Sequence, residues 1–268
     1  VTLHLRSLRY IKNTAEDRFP FTIPSIRYLD TLAFSAPVTF FVGENGSGKS
    51  TLLEAVALAA GMIAIGSTDL LQDQSLNRVR QLADQLKLVW SKRTRKGFFL
   101  RAEDFFGYAR RLAAMRDGLE ADVQTIHEEY RDRSEYARKL ALMAPSGQLR
   151  ALENQYQGDL DQRSHGESFF SLFKARFVAD GLYLLDEPEA PLSPLRQLAF
   201  LSLLKEMVEQ QRAQFIIATH SPILMAYPGA EILNFDAVPI APIAYDELEH
   251  VTLTRSFLLD PAAYLRHL

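Results

Sequence analysis

A chain of 268 residues with 47% hydrophobic and 24% charged residues has the make-up of a globular protein long enough to bury a core. A formal net charge of −3 argues neither for nor against a polyanionic partner, and the lack of cysteine excludes disulfides, thiol catalysis and zinc–thiolate sites. No apolar run approaches the roughly 18 residues of a membrane span. Val1 to Arg6 lack a signal-peptide core, so a cytoplasmic protein without direct membrane insertion is expected.

Residues 1–42 read mostly as strands. Leu3 and Leu5 alternate with His4 and Arg6, and Pro20, Pro24 and Pro37 punctuate the stretch. Val38 to Val42 is a compact run of β-branched and aromatic residues, which suits a buried strand. It runs into Gly43, and a helical pattern follows from Lys49 through Leu52, Leu53, Val56, Ala57 and Ala60. Residues 68–165 read as a helical insertion or lid within a single domain spanning 1–268. Val79, Leu82, Leu86 and Val89 fall at helical spacing, as do Tyr108, Leu112, Met115, Leu119, Val123 and Ile126. Gly97 to Leu100 interrupts these helices, and Pro145-Ser146-Gly147 reads as a loop. The insertion is too short for a long coiled-coil arm that must go out and return.

After residue 176 strands and helices alternate. Leu182 to Leu185 is a strand. Ser193 is a good N-cap with Pro194 at the first helical position, which predicts a helix to about Arg212. Phe215 to Thr219 is a second buried strand, and Glu231 to Phe235 and His250 to Thr254 read as closing strands. This alternation predicts an α/β fold around a largely parallel sheet.

Gly43-Glu44-Asn45-Gly46-Ser47-Gly48-Lys49-Ser50, followed by Thr51, fits G-x-x-x-x-G-K-[ST] between a strand and a helix. Its glycines let the backbone curl so that successive N–H groups face phosphate oxygens, and the helix adds its positive end. Lys49 would reach the β- and γ-phosphates, and Ser50 would ligate Mg²⁺. Leu182-Tyr183-Leu184-Leu185-Asp186-Glu187 delivers two carboxylates from the C-terminal end of a buried strand, where α/β proteins bind ligands. Asp186 suits a magnesium site and Glu187 suits orienting or deprotonating an attacking water. His220 follows another such strand and can hydrogen-bond a γ-phosphate or that water.

Together these elements resemble the Walker A, Walker B and switch-histidine motifs of ABC-type ATPases. Glu189 to Ser193 stands where that class has its D-loop. Arg163 to Ser168 stands where it has its signature, with Ser164 and Gly166 matching, His165 in place of a glycine, and Glu167 similar to the SMC and RecF-like branch. The ending, Phe257 to Leu265, and Phe98 to Glu103 are similar to small stand-alone bacterial ATPases of that neighbourhood. The resemblance implies an ABC-type P-loop fold with an N-terminal antiparallel part, ATP and Mg²⁺ as ligands, and an ATP-dependent homodimer. In that dimer Ser164, Gly166 and Glu167 of one protomer close over the ATP held by the other. No Gln stands at the place of the Q-loop, where Arg101 to Glu103 is the candidate substitute. Tyr10, Arg27 and Tyr28 are candidates to stack on adenine.

Three uses of such a switch are open. Lys92 to Lys96 with Phe98 and Phe99 would serve nucleic acid, in repair or defence. The amphipathic helices of 79–126 would bind an effector protein. A transporter role would need a separate membrane partner, and Glu167 and the missing Gln count against it.

Overall fold

The structure, a computed structural model, describes residues 3–12, 17–65, 76–156 and 173–266. Ser164, Gly166 and Glu167 lie outside them. The chain divides into two compact units, Val1–Ala102 with Val178–Leu268, and Glu103–Phe177.

The first unit holds two sheets. A three-stranded antiparallel sheet pairs β1 (Leu5–Tyr10) with β2 (Thr31–Ala33) on one side and β5 (Leu86–Trp90) on the other. The larger sheet has seven strands in the order β10-β9-β3-β8-β7-β6-β4. These are β3 (Val38–Val42), β4 (Ala64–Ile65), β6 (Gly97–Arg101), β7 (Leu182–Asp186), β8 (Gln214–Ala218), β9 (Glu231–Asn234) and β10 (Ala241–Pro242). Every pairing is parallel except that of β10 with β9. Every residue of β3, β7 and β8 is buried, as expected of apolar runs in the middle of a parallel sheet.

Helix α2 (Lys49–Ala60) packs in the same apolar cluster as both sheets. Leu5 and Leu8 of β1, Phe41 of β3, Leu184 of β7 and Ile216 of β8 join Leu52, Leu53 and Val56 there. A helix covered on several sides is apolar around much of its surface, and Leu52, Leu53, Ala55, Val56 and Ala57 are all buried. The short α1 (Pro24–Arg27) and α3 (Asn77–Asp84) supply Ile26, Val79 and Leu82 to the same cluster. Helix α6 (Pro194–Gln211) starts after Ser193 as its sequence predicts, and the one-turn α7 (Pro222–Met225), α8 (Glu249–Leu259) and α9 (Pro261–Leu265) complete the unit.

Several expectations are corrected. Leu86 and Val89 lie on β5, not on a helix; a four-residue apolar spacing fits either period over so short a stretch. Gly97 to Arg101 is a strand of the main sheet. At Gly97, with φ of 115°, an added Cβ would fall 1.8 Å from the Leu182 carbonyl oxygen, so glycine permits this close pairing. His250 to Thr254 belongs to α8. Residues 77–101 therefore belong to the first unit, and the second unit is Glu103–Phe177.

The second unit is built from α4 (Ala102–Glu129) and α5 (Glu135–Tyr156). With 28 residues α4 is about 42 Å long, and α5 follows it after a short turn. The Ser134 hydroxyl accepts the Ala137 N–H at 3.2 Å and caps α5. Pro145 sits inside α5 rather than in a loop. A proline removes one hydrogen bond, and a long helix carries on through it at the cost of a kink.

The two sheets of the first unit are tied by one fully buried side chain. The Gln214 Oε1 accepts the N–H groups of His4 and Leu5 at 2.9 and 2.8 Å, and its Nε2 donates to the Leu5 carbonyl at 2.9 Å. Replacing Gln214 by Leu strands three buried backbone groups. Loss of about 2–5 kcal/mol of stability is expected, read as a lower midpoint in urea unfolding.

Candidate functional site

The parallel register lines up the C-terminal ends of the central strands. Asp186 pairs with Ala218, Ala218 with Phe41, and Val42 with Asn234. The residues that follow, Glu187, Thr219-His220, Gly43 and Asp236, therefore emerge along one edge.

The loop from Gly43 to Gly48 curls through positive φ at Gly43 (142°), Gly46 (82°) and Gly48 (102°). Gly48 is the left-handed N-cap of α2, and an added Cβ would lie 2.6 Å from Ser25 Oγ and 2.9 Å from Ile23. The first N–H groups of α2 have no partner within the helix and are open to an anion. The loop lines a cavity of about 430 Å³ with Phe19, Ile23, Asn45, Gly46, Gly48, Lys49, Ser50, Thr51 and Glu187 on its walls. Glu44 and Ser47 help shape the loop instead: the Ser47 N–H donates to the Glu44 carbonyl at 3.2 Å.

Lys49 is almost fully buried, and its Nζ donates to the carbonyls of Gly43 and Glu44 at 2.7 and 2.9 Å. Burial lowers its pKa, against the pull of Asp236, Asp186, Glu187 and Glu44. The Ser50 hydroxyl donates to Asp186 Oδ1 at 3.0 Å. Burial raises the Asp186 carboxyl to about 7, with Glu54 and Glu187 acting in the same direction, while the Ser50 hydrogen bond and Arg101 oppose them.

Arg101, on β6 beside Asp186, pairs with Glu54 of α2 at 2.6 Å. It occupies the region considered for the Q-loop substitute and acts there as a buried cation.

Glu187 has φ of 50°, and its N–H donates to the Ala218 carbonyl at 2.9 Å. A non-glycine residue in this region is strained and is held there by its surroundings. Its side chain is half exposed, and its Oε1 lies 4.0 Å from His220 Nε2. The His220 N–H donates to Glu189 Oε1 at 2.8 Å. Burial raises the pKa of Glu189, against its hydrogen bonds from Thr219 and the His220 N–H.

Asp236 was not foreseen from the sequence. Both its carboxylate oxygens accept the Glu44 N–H at 3.0 Å, and it lies where a Cβ on Gly43 would collide. His250 also lies at this edge, with its ring centroid 6.5 Å from that of His220. Phe19, 40% exposed, lines the cavity wall, and the candidates Tyr10, Arg27 and Tyr28 are not among its lining residues. Tyr10 is buried and stacked on Phe21, and Tyr28 lines a separate depression with Arg9 and Lys12. A lone phenylalanine before a proline carries no sequence signal for such a place.

The donors suit Mg²⁺, a hard cation that takes oxygen ligands and relies on phosphate and water for most of its shell. Ser50 Oγ and Asp186 Oδ1 already meet, and Asp186 is a buried acid whose charge a cation would stabilise. Among the described residues, no group of three or more His, Asp or Glu side chains is placed to hold a metal alone.

Two family models match this chain. One, described as "AAA domain", matches residues 23–67, which carry the phosphate loop. The other, described as "AAA domain, putative AbiEii toxin, Type IV TA system", matches residues 159–226, which carry Asp186, Glu187 and His220. The match over residues 23–67 and the Gly43 to Ser50 loop mark the chain as a P-loop NTPase. It carries an ABC-type ATPase domain, which implies ATP hydrolysis. This ATPase is 26% identical over 197 residues to the thiamine import ATP-binding protein ThiQ of Chelativorans sp. (strain BNC1), covering 72% of this chain and 70% of that protein. It is 26% identical over 195 residues to the dipeptide transport ATP-binding protein DppD of Caldanaerobacter subterraneus subsp. tengcongensis, covering 68% of this chain but only 55% of that protein. Similar solved structures include a nucleotide-free ATP-binding cassette from an ABC transporter, at 15% identity, a TM-score of 0.47, and coverage of 99% of this chain and 98% of that one. They also include an SMC head domain from Thermotoga maritima, at 17% identity, a TM-score of 0.41, and coverage of 90% and 100%.

The raised pKa of Asp186 makes a prediction for the nucleotide-free protein. The folded state holds a proton at Asp186 that the unfolded chain releases near pH 3.8. This contribution to stability is full below pH 3.8 and is lost as pH rises to about 7. Without divalent cations, the melting temperature of the wild type should therefore fall relative to that of Asp186→Asn between pH 5 and pH 8. Parallel curves for the two proteins would contradict the assignment.

Proposed function

We propose that this ATPase is a nucleotide-gated dimerisation switch whose hydrolytic centre is Glu187 with His220. The observation that carries the reading is the position of Glu187. Its strained backbone aims a half-exposed carboxylate into the cavity walled by Lys49, Ser50 and Thr51, with His220 Nε2 4.0 Å away. In this reading Glu187 orients and deprotonates the attacking water. His220 holds that water or the γ-phosphate. Gly43 to Thr51 wraps the phosphates, and Lys49 leaves its carbonyl partners for the β- and γ-phosphate oxygens.

Ser50 and Asp186 would hold Mg²⁺, which supplies charge neutralisation on the phosphates. Asp236 and Glu189 position the loop and the His220 backbone. One phosphate loop covers only one face of the triphosphate. Ser164, Gly166 and Glu167 of a second copy would supply the other face, so ATP joins two protomers and loss of the γ-phosphate releases them.

A second reading concerns what the switch operates. On α5, Tyr136, Leu140 and Met143 are 77%, 58% and 70% exposed at helical spacing, which favours a nucleotide-controlled contact with an effector protein. The nucleic-acid reading loses its stacking residues, because Phe98 and Phe99 are buried in β6. The adjoining cations are also partly engaged: Lys92 pairs with Asp180 at 3.6 Å, and Lys96 Nζ donates to the Ala179 carbonyl at 3.2 Å.

Glu187→Gln should lower ATP turnover by about 10²- to 10⁴-fold while retaining ATP binding. It should also accumulate as a dimer with ATP and Mg²⁺. Phosphate release and light scattering over a range of protein concentrations check both, and a variant that binds ATP yet stays monomeric would remove the dimer from the reading. For the basic segment, replacing Lys92, Arg93, Arg95 and Lys96 by Ala should leave any binding to single-stranded DNA unchanged in fluorescence anisotropy at low salt. Loss of a salt-sensitive affinity would restore the nucleic-acid reading.

A further inference from the structure

Besides Asp236, the phosphate edge of the site includes a second side chain that none of the recognised motifs supplies. His250 is the second residue of α8, and the buried Leu248 and Val251 on either side of it anchor this end of the helix. Its ring meets that of His220 edge-on, with centroids 6.5 Å apart and planes at 60°. Its Nε2 is buried and has no hydrogen-bond partner among the described residues, and the same is true of His220 Nε2. A buried ring nitrogen without a partner is costly in a finished site. Two of them side by side, at the edge of a phosphate cradle, suggest a site that a ligand completes.

The surroundings identify the ligand's chemistry. The charged and titratable groups that act on His250 are His220, Glu44, Lys49 and Asp236. All belong to the phosphate loop or to the strand ends beside it. Ile23 and Ser25 flank the loop at Gly48, and His250 meets the ring of His220, whose Nε2 lies 4.0 Å from Glu187 Oε1. Burial first, and then the neighbouring His220, lower the pKa of His250 and favour a neutral ring. A neutral imidazole donates from one nitrogen without adding a full charge beside Lys49.

We infer that His250 is a second phosphate-contacting histidine, whose Nε2–H donates to an oxygen of the terminal phosphate of bound ATP. The contact ties α8 to the triphosphate state, because ADP lacks that oxygen. The inference rests on Gly43 to Thr51 being the nucleotide cradle, and the experiment separates the two.

ATP and ADP affinities are measured by calorimetry with Mg²⁺ in the Glu187→Gln background, where ATP persists, with and without His250→Ala. The added substitution should weaken ATP about 10- to 100-fold, the range of a hydrogen bond to a charged group, and leave ADP within about twofold. His250→Gln, which keeps a donor, should recover part of the loss. Equal effects on both nucleotides, or none on either, overturn the inference while leaving the cradle intact. If the parent binds neither nucleotide, the cradle itself is wrong and the inference falls with it. Should His250→Ala not fold, the side-chain ¹⁵N resonance of His250 in the parent decides. Its Nε2 should shift on adding ATP and not on adding ADP, and identical spectra with the two nucleotides overturn the proposal.

Discussion

Parallel hydrogen bonding from β9 through β3 and β8 to β7 puts the ends of four strands at one level, and the site depends on that alignment. Asp186 pairs with Ala218, Ala218 with Phe41, and Val42 with Asn234. A one-residue slip in any of these pairings would turn each strand over. Asp186 could then no longer receive the Ser50 hydroxyl at 3.0 Å, nor Asp236 the Glu44 N–H. The apolar faces of β3, β7 and β8 hold that register, because each has every residue buried. Hydrophobic packing in the middle of the sheet thus fixes the geometry of polar groups at its rim.

The rim concentrates charge where water is scarce. Lys49 and Asp186 are both buried, and desolvation shifts each towards its neutral form. In the protein alone they are served by nearby substitutes: the carbonyls of Gly43 and Glu44 for Lys49, and the Ser50 hydroxyl and Arg101 for Asp186. A phosphate and a cation would meet the same needs with full charges. The groups that would meet them already stand together, so such an exchange of partners would be local.

Much of the centre could be read from the sequence, because its signals are short and punctuated. Gly43 to Ser50 lies between a strand run and a helix run. Asp186-Glu187 ends an apolar strand, and Ser193-Pro194 starts a helix. The flanks resisted for a different reason. Leu86, Val89 and His250 to Thr254 lie in runs too short to separate a period of 2 from one of 3.6, and each went to the wrong class. Gln214, Asp236 and His250 reach their partners only through the tertiary fold: Gln214 bonds residues 4 and 5, and Asp236 bonds residue 44. No local pattern announces such contacts. Pro145 misled in the other direction, since α5 is long enough to continue past one missing donor.

The place where the helical unit enters the chain has a further consequence. It leaves after β6 and returns before β7, and these two strands are neighbours in the sheet and run parallel. Any chain joining such a pair must cross from one end of the sheet to the other, for which about a dozen residues suffice. The unit of Glu103–Phe177 is an enlarged version of a connection that the topology already required. Its length can therefore change without altering the rungs that pair β6 with β7.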